Sequence, residues 1–244
     1  MERYSERAVV LSTLDYGEAD RMVTLFTRER GKLTAFAAGA RKSRRRFAGA
    51  LEPGTLAVAQ LVERRGSTVR LDALDVEETF HGLRADLGLI ARALYCLELC
   101  RELLRDQEPH PALFDALVEY LRGLERRELG PTSLIAFELE ALMQAGLQPR
   151  FDACAICSGP LGERALFDPS HGGAVCLLCQ GRTRGAVMLE GRLAAALAGL
   201  QEGARTPLGS FERGRARDLL NLFISHHVGR KLKSVEFMVQ VGLD

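Results

Sequence analysis

Four cysteines carry the most specific chemistry in this chain. Cys154 and Cys157 form one Cys-x-x-Cys pair, Cys176 and Cys179 a second, with eighteen residues between the pairs. That is the spacing of a structural zinc site. A two-residue gap lets one tight turn aim two thiolates at a point, and two such turns complete a tetrahedron of soft ligands. Four sulfurs leave no open position for water or substrate, so the expected cofactor is one structural Zn2+ per chain without a catalytic role. A thioredoxin-like redox pair fits less well, because it needs one Cys-x-x-Cys near a βαβ pattern. Disulfides need an oxidising compartment, and nothing in the sequence points to one. His171 lies between the pairs and could replace a cysteine, although four thiols already complete the set.

A second group of residues is cationic. Residues 28–50 hold Arg28, Arg30, Lys32, Arg41, Lys42, Arg44, Arg45 and Arg46 against a single acid, Glu29. Arg64, Arg65 and Arg70 form a further cluster, and Arg230, Lys231 and Lys233 another near the end of the chain. The formal net charge is only +1, so these are local clusters suited to binding phosphate without general polycation behaviour. Lys32, Arg41, Lys42, Arg44, Arg45, Arg46, Arg64, Arg65, Arg70, Arg230, Lys231 and Lys233 are therefore the candidate DNA-binding residues. Gly39-Ala-Arg-Lys-Ser43 lacks the glycine spacing and the Gly-Lys-Ser core of a P-loop, which argues against nucleotide binding there. No nucleophile elbow, His-Glu-x-x-His or dinucleotide fingerprint is present. The five histidines are scattered, and the pair His226–His227 suits the cation-favouring end of a helix. The chain reads as non-catalytic.

The elements that must position these residues divide the chain in two. Ala8–Leu14, Met22–Thr27, Lys32–Ala38, Leu56–Arg64 and Thr68–Val76 read as five short strands, with Arg65-Gly66-Ser67 turning the fourth into the fifth. Five strands in about eighty residues fit a small Greek-key barrel such as the OB-fold, and other small barrels match the pattern too. From residue 82 the apolar period changes to that of helices. One helix runs to before Pro109, a second follows Pro111, and a third begins at Pro131 with Thr132 or Ser133 as cap and stops at Gly146. Leu189–Leu200 and Phe211–Lys231 read as two more. The expected fold class is α+β: a barrel domain over 1–80, then a helical domain over 81–244 carrying an inserted four-cysteine module at about 151–185. Apolar content of 47% and charged content of 27% describe an ordinary soluble protein. No apolar run is long enough for a membrane span and no apolar leader follows Met1, so the cytoplasm is the expected compartment. Cys96 and Cys100, at helical spacing, read as small buried apolar residues.

Taken in order, several stretches resemble the bacterial recombination mediator family RecO. Asp15-Tyr-Gly-Glu-Ala-Asp-Arg21, Thr24-Leu-Phe-Thr27, Gly31-Lys-Leu33 and Ala38-Gly-Ala-Arg41 are similar to the family's N-terminal OB-fold. Leu113-Phe114, Phe137-Glu138-Leu139, Leu142 and Gly146-Leu-Gln-Pro149 are similar to its helical part. Phe167-Asp-Pro-Ser-His-Gly-Gly173 and His226-His227-x-Gly229-Arg-Lys-Leu-Lys-Ser234 complete the match. The resemblance implies binding of single- and double-stranded DNA and annealing of complementary strands. It also implies work with RecR, single-strand DNA-binding protein and RecA in recombinational repair, at the nucleoid. The complete cysteine set is that of the zinc-bearing members. The chain has no Trp and 6% aromatics, with Tyr4, Tyr16, Phe26, Phe36, Phe47 and Phe80 as the N-terminal candidates for stacking. Contact mainly through the phosphate backbone, salt-dependent and weakly sequence-specific, is therefore expected. The alternative is a zinc-stapled scaffold whose basic loop binds an acidic protein partner.

Overall fold

The computed structural model describes residues 1–43, 46–47, 49–64, 68–204 and 207–242. It divides into two compact units, residues 1–129 and 130–242.

Unit one is built on a closed five-stranded barrel in the order β1-β2-β3-β5-β4, with β1 Glu2–Tyr16, β2 Asp20–Thr27, β3 Gly31–Ala37, β4 Leu56–Glu63 and β5 Val69–Glu78. All pairings are antiparallel except β3 with β5, and this is the OB-fold arrangement. Alternation decides which side chains enter. Leu33, Ala35 and Ala37 of β3 point inward with Val23 and Leu25 of β2 and Leu71 of β5, so the residues between them face out. β1 is longer than the sequence pattern indicates. Its first half, from Glu2, pairs with β4, and its second half, to Tyr16, pairs with β2. A bulge between Val10 and Ser12 bends it from one neighbour to the other. Glu2, Arg3, Glu6 and Arg7 carry that first half, and their charges mask the strand alternation.

Two helices belong to the same unit: α1 Leu87–Leu103 and α2 Pro111–Arg126. The expected single helix from residue 82 is instead a 3-10 turn, His81–Ala85, followed by a break at Asp86. Asp86 is extended, and its carboxylate accepts from the backbone N–H of Gly88 and Leu89, so it caps α1 and separates the two segments. The helices are fixed to the barrel by Phe114 edge-on to Phe26 at 5.5 Å, by Arg28 on Asp115 at 2.8 Å, and by Arg122 on Glu78.

Unit two contains α3 Ser133–Gln144, α4 Gly191–Gln201, α5 Ser210–Val228 and α6 Lys233–Gln240. Between α3 and α4 lies a three-stranded sheet ordered β7-β6-β8, formed by β6 Arg164–Asp168, β7 Gly173–Cys176 and β8 Val187–Glu190. Leu189, read as the start of a helix, is the buried residue of β8, and the helix begins at Gly191. Thr132 occupies the N-cap position of α3, but its hydroxyl makes no capping bond. The helix expected to reach Lys231 ends at Val228, because Gly229 takes a left-handed φ of 78°. Arg230 and Lys231 therefore lie beyond it, and α6 was not expected from the sequence.

Candidate nucleic-acid interface and metal centre

The register aligns Leu14 of β1 with Met22, Met22 with Phe36, Phe36 with Arg70, and Arg70 with Val62. One row of side chains thus crosses all five strands. Phe36 and Arg70 face outward because their neighbours, Ala35 and Ala37, Val69 and Leu71, fill the barrel. At the end of β1, Tyr16 is 58% exposed and stands edge-on to Phe36, with ring centroids 5.9 Å apart. Tyr16, Met22, Phe36, Val62, Arg64, Thr68 and Arg70 line a groove of about 600 Å³. An aromatic pair in a groove with two guanidinium groups can stack a base and hold its phosphate. Asp72 chelates Arg70, at 2.7 Å from Nε and 3.2 Å from Nη2.

The groove collects only some of the candidate cations. Arg64 and Arg70 line it. Arg41 is adjacent, with Nη1 donating to the carbonyl of Gly17 at 3.3 Å and Nε 3.6 Å from Asp15, on either side of Tyr16. Lys42 is exposed. Arg46 folds back on the carbonyl of Ala38 at 2.7 Å and over the Phe47 ring. Phe47, Ala50 and Leu51 are part of the barrel core, so the described part of the basic loop is anchored at its base. Arg44, Arg45 and Arg65 lie outside the described residues. Lys32 is elsewhere and engaged: its ammonium donates to the carbonyl of Arg101 at 2.8 Å and pairs with Asp106 at 3.3 Å. Arg230, Lys231 and Lys233 are exposed in the other unit and follow His226 and His227 in the chain. Burial, with His226 next to it, lowers the His227 pKa, which opposes its protonation at neutral pH. Sequence reasoning named Tyr16 and Phe36 only among six aromatics. Phe26, Phe47 and Phe80 prove to be core, and Tyr4 packs beneath Arg30. Outward alternation on β3 was the sign that could have singled out Phe36.

The four expected cysteines converge in unit two. Their sulfurs all lie within 4.8 Å of one another, and Cys157 and Cys176 Sγ are 3.7 Å apart. Cys154 and Cys157 share a turn closed by the Ser158 N–H on the Cys154 carbonyl and the Cys154 N–H on the Gly159 carbonyl, both 2.9 Å. Cys176 ends β7, and Cys179 sits in the 3-10 turn Leu177–Arg182. Burial works against ionisation of Cys154, but hydrogen bonds from Cys176, Cys157 and Ile156 outweigh it and lower the thiol pKa. Cys179 is shifted upward by burial and by its neighbouring thiols. A cation bound by these sulfurs would draw the protons off the thiols. The arrangement can hold a metal ion. His171 is not part of it: its Nδ1 lies 2.9 Å from the buried carboxylate of Asp168. Cys96 and Cys100 are buried in α1, and burial pushes the Cys100 thiol up to about 12. Among the described residues no helix is long and apolar enough to cross a membrane.

Two family models match the chain: Recombination protein O N terminal over residues 1–80, and Recombination protein O C terminal over residues 84–236. The chain is similar to a protein named DNA repair protein RecO from Myxococcus xanthus (strain DK1622), 63% identical over 100% of both chains. A protein of the same name from Anaeromyxobacter dehalogenans (strain 2CP-C) is 49% identical over 99% of this chain and 98% of its own. One from Geobacter sulfurreducens (strain ATCC 51573 / DSM 12127 / PCA) is 37% identical over 96% of each. With both family models in order along the barrel and helical regions, and relatives matched end to end, the chain belongs to the recombination protein O family, RecO.

Proposed function

We propose that this protein is a DNA-binding recombination mediator that anneals complementary single strands and helps load RecA on single-stranded DNA. The observation that carries the reading is the Tyr16–Phe36 pair in the barrel groove, with Arg64 and Arg70 beside it. Strands β2–β3 and the adjoining loops are the face with which OB-folds hold oligonucleotides. The aromatic pair favours DNA over an acidic protein partner, because carboxylates need cations but gain little from an edge-to-face ring pair. It also adds a stacking term to the phosphate binding expected from composition.

Arg41, Lys42 and Arg46 extend the phosphate contacts from the groove, Arg44, Arg45 and Arg65 are proposed as further contacts on their charge alone, and Arg230, Lys231 and Lys233 supply additional cations from the other unit. Lys32 adds to the field without direct contact. The process needs no catalysis by the protein. Two polyanions must be brought together, and base pairing then drives annealing. RecR, single-strand DNA-binding protein and RecA are the proposed partners, in the cytoplasm at the nucleoid. Zinc is the proposed metal. A tetrahedron of sulfurs about 2.3 Å from Zn2+ has edges of about 3.8 Å, and the Cys157–Cys176 separation is 3.7 Å.

Mixing labelled complementary strands with the protein, with and without ATP, tests the activity. Acceleration that needs no nucleotide and fades as salt rises is expected. No acceleration over protein-free strands at low salt contradicts the proposal.

A further inference from the structure

The four-cysteine module presents a surface that the barrel groove does not account for. Leu178, at the tip of the Cys176-Leu-Leu-Cys179 turn, is 98% exposed, and its neighbour Leu177 is 47% exposed. The module's core is small: Leu166 and Val175 with three of the cysteines, and Ile156, Leu161 and Ala186 packed against them. The tip cannot turn inward, because the thiols on either side of it point at the cluster. The turn is closed again behind it, with the Thr183 N–H at 3.1 Å and its hydroxyl at 2.9 Å both donating to the Gln180 carbonyl. Arg182 and Arg184 follow at once. Both are exposed, and neither forms an ion pair among the described residues. From Pro169 to Leu189 the sequence contains no Asp or Glu.

We infer that this turn is a second nucleic-acid contact, and that its ligand is duplex DNA approached from the minor groove. Apolar wedges such as Leu inserted at a base step, flanked by Arg, are how proteins engage that groove. Charge complementarity is one-sided here, with two free guanidinium groups and no opposing carboxylate over the whole segment. Single strands are not the ligand, because no Phe, Tyr or Trp occurs between Phe167 and Phe211 to offer a base a ring face. A wedge held between two metal ligands is pre-organised, so little ordering is lost on contact. The surface would hold the product of annealing, whereas the barrel groove holds its substrate. The inference rests on the proposed DNA-binding function.

The test is fluorescence anisotropy of the full chain, purified with its metal, on a labelled duplex and on labelled oligo-dT over a salt series. Leu178→Ala should weaken duplex binding roughly tenfold, the effect of burying one leucine side chain. The double variant Arg182→Ala/Arg184→Ala should flatten the duplex salt slope by about 1.8, at ~0.9 per phosphate contact. Neither should change oligo-dT binding, metal content or melting temperature, since all three side chains are exposed. A Tyr16→Ala/Phe36→Ala variant should show the opposite selectivity. Unchanged duplex binding in both the Leu178→Ala and the Arg182→Ala/Arg184→Ala variants, or equal losses on both DNAs, overturns the inference and leaves the groove reading intact. A change in sedimentation of Leu178→Ala with duplex binding retained makes the tip a self-association surface and also overturns it. A parent protein that binds neither DNA removes the functional reading itself.

Discussion

Asp72 holds the groove's Arg70 in a two-point chelate before any ligand arrives. If Arg70 contacts phosphate, Asp72 is an inhibitory residue, and Asp72→Asn should tighten DNA binding. The arginine and aspartate side chains are 46% and 34% exposed, so the pair contributes little to the fold, about 0–1 kcal/mol. A carboxylate about 6 Å from a bound phosphate repels it by ~0.7 kcal/mol in water, and roughly half of that survives at physiological salt. Freeing the guanidinium adds a similar amount. The sum, on the order of 0.5–1 kcal/mol, is about a two- to sixfold gain in affinity. The log–log salt slope on a single strand should steepen by about 0.7 if Arg70 gains one full phosphate contact. Anisotropy of labelled oligo-dT from low to physiological salt measures both quantities, with Arg70→Ala as the opposite control. Weaker binding by Asp72→Asn, or no change in either variant, would remove Arg70 from the interface.

Metal removal should be structural in effect. Structural zinc contributes on the order of 10 kcal/mol to small modules, so Cys176→Ser or chelation should abolish hydrogen-exchange protection over residues 164–190, with about one zinc per chain found in the parent. Glu138 and Arg217 form a buried pair at 2.9 Å, with side chains 0% and 9% exposed. Glu138→Ala should therefore cost about 3–5 kcal/mol in urea unfolding, while Glu138→Leu with Arg217→Met should be close to neutral. The hydrogen bond from Arg122 lowers the Glu78 pKa against an opposing contribution from burial. A carboxylate with a depressed folded pKa stabilises above its unfolded pKa, about 4.3, and loses that contribution as pH falls through the folded value. Glu78→Gln should accordingly flatten the acid limb of the stability profile below about pH 4.3 and leave its shape above about pH 6 unchanged.

The barrel was largely legible because strands β2 to β5 are short β-favouring runs bounded by glycine or charged breaks, and β3 alternates inward small residues with outward ones. The first half of β1 was not, since Glu2, Arg3, Glu6 and Arg7 occupy a strand whose pairing with β4 comes from across the barrel. Cysteine spacing located the metal cluster because ligands must be adjacent in turns. The same segment concealed β6, β7 and β8, whose four or five residues each are too short to show a period. Cations were visible, but their partners were not. Nothing in the sequence around Lys32 indicates the Arg101 carbonyl, 69 residues away, that takes its ammonium. The groove depended on cross-strand register, which places Phe36 beside Arg70 across a parallel pairing that no local pattern encodes.

The central claim is that the barrel groove binds single-stranded DNA by stacking as well as by charge. The direct measurement is oligo-dT affinity of the full chain over a salt series, for the parent and for Tyr16→Ala/Phe36→Ala. Each ring is expected to be worth about 1–3 kcal/mol. The double variant should therefore bind at least roughly thirtyfold more weakly, with the parent's salt slope, because no phosphate contact is lost. Parental affinity in that variant, or a loss that vanishes as salt is lowered, would contradict the account.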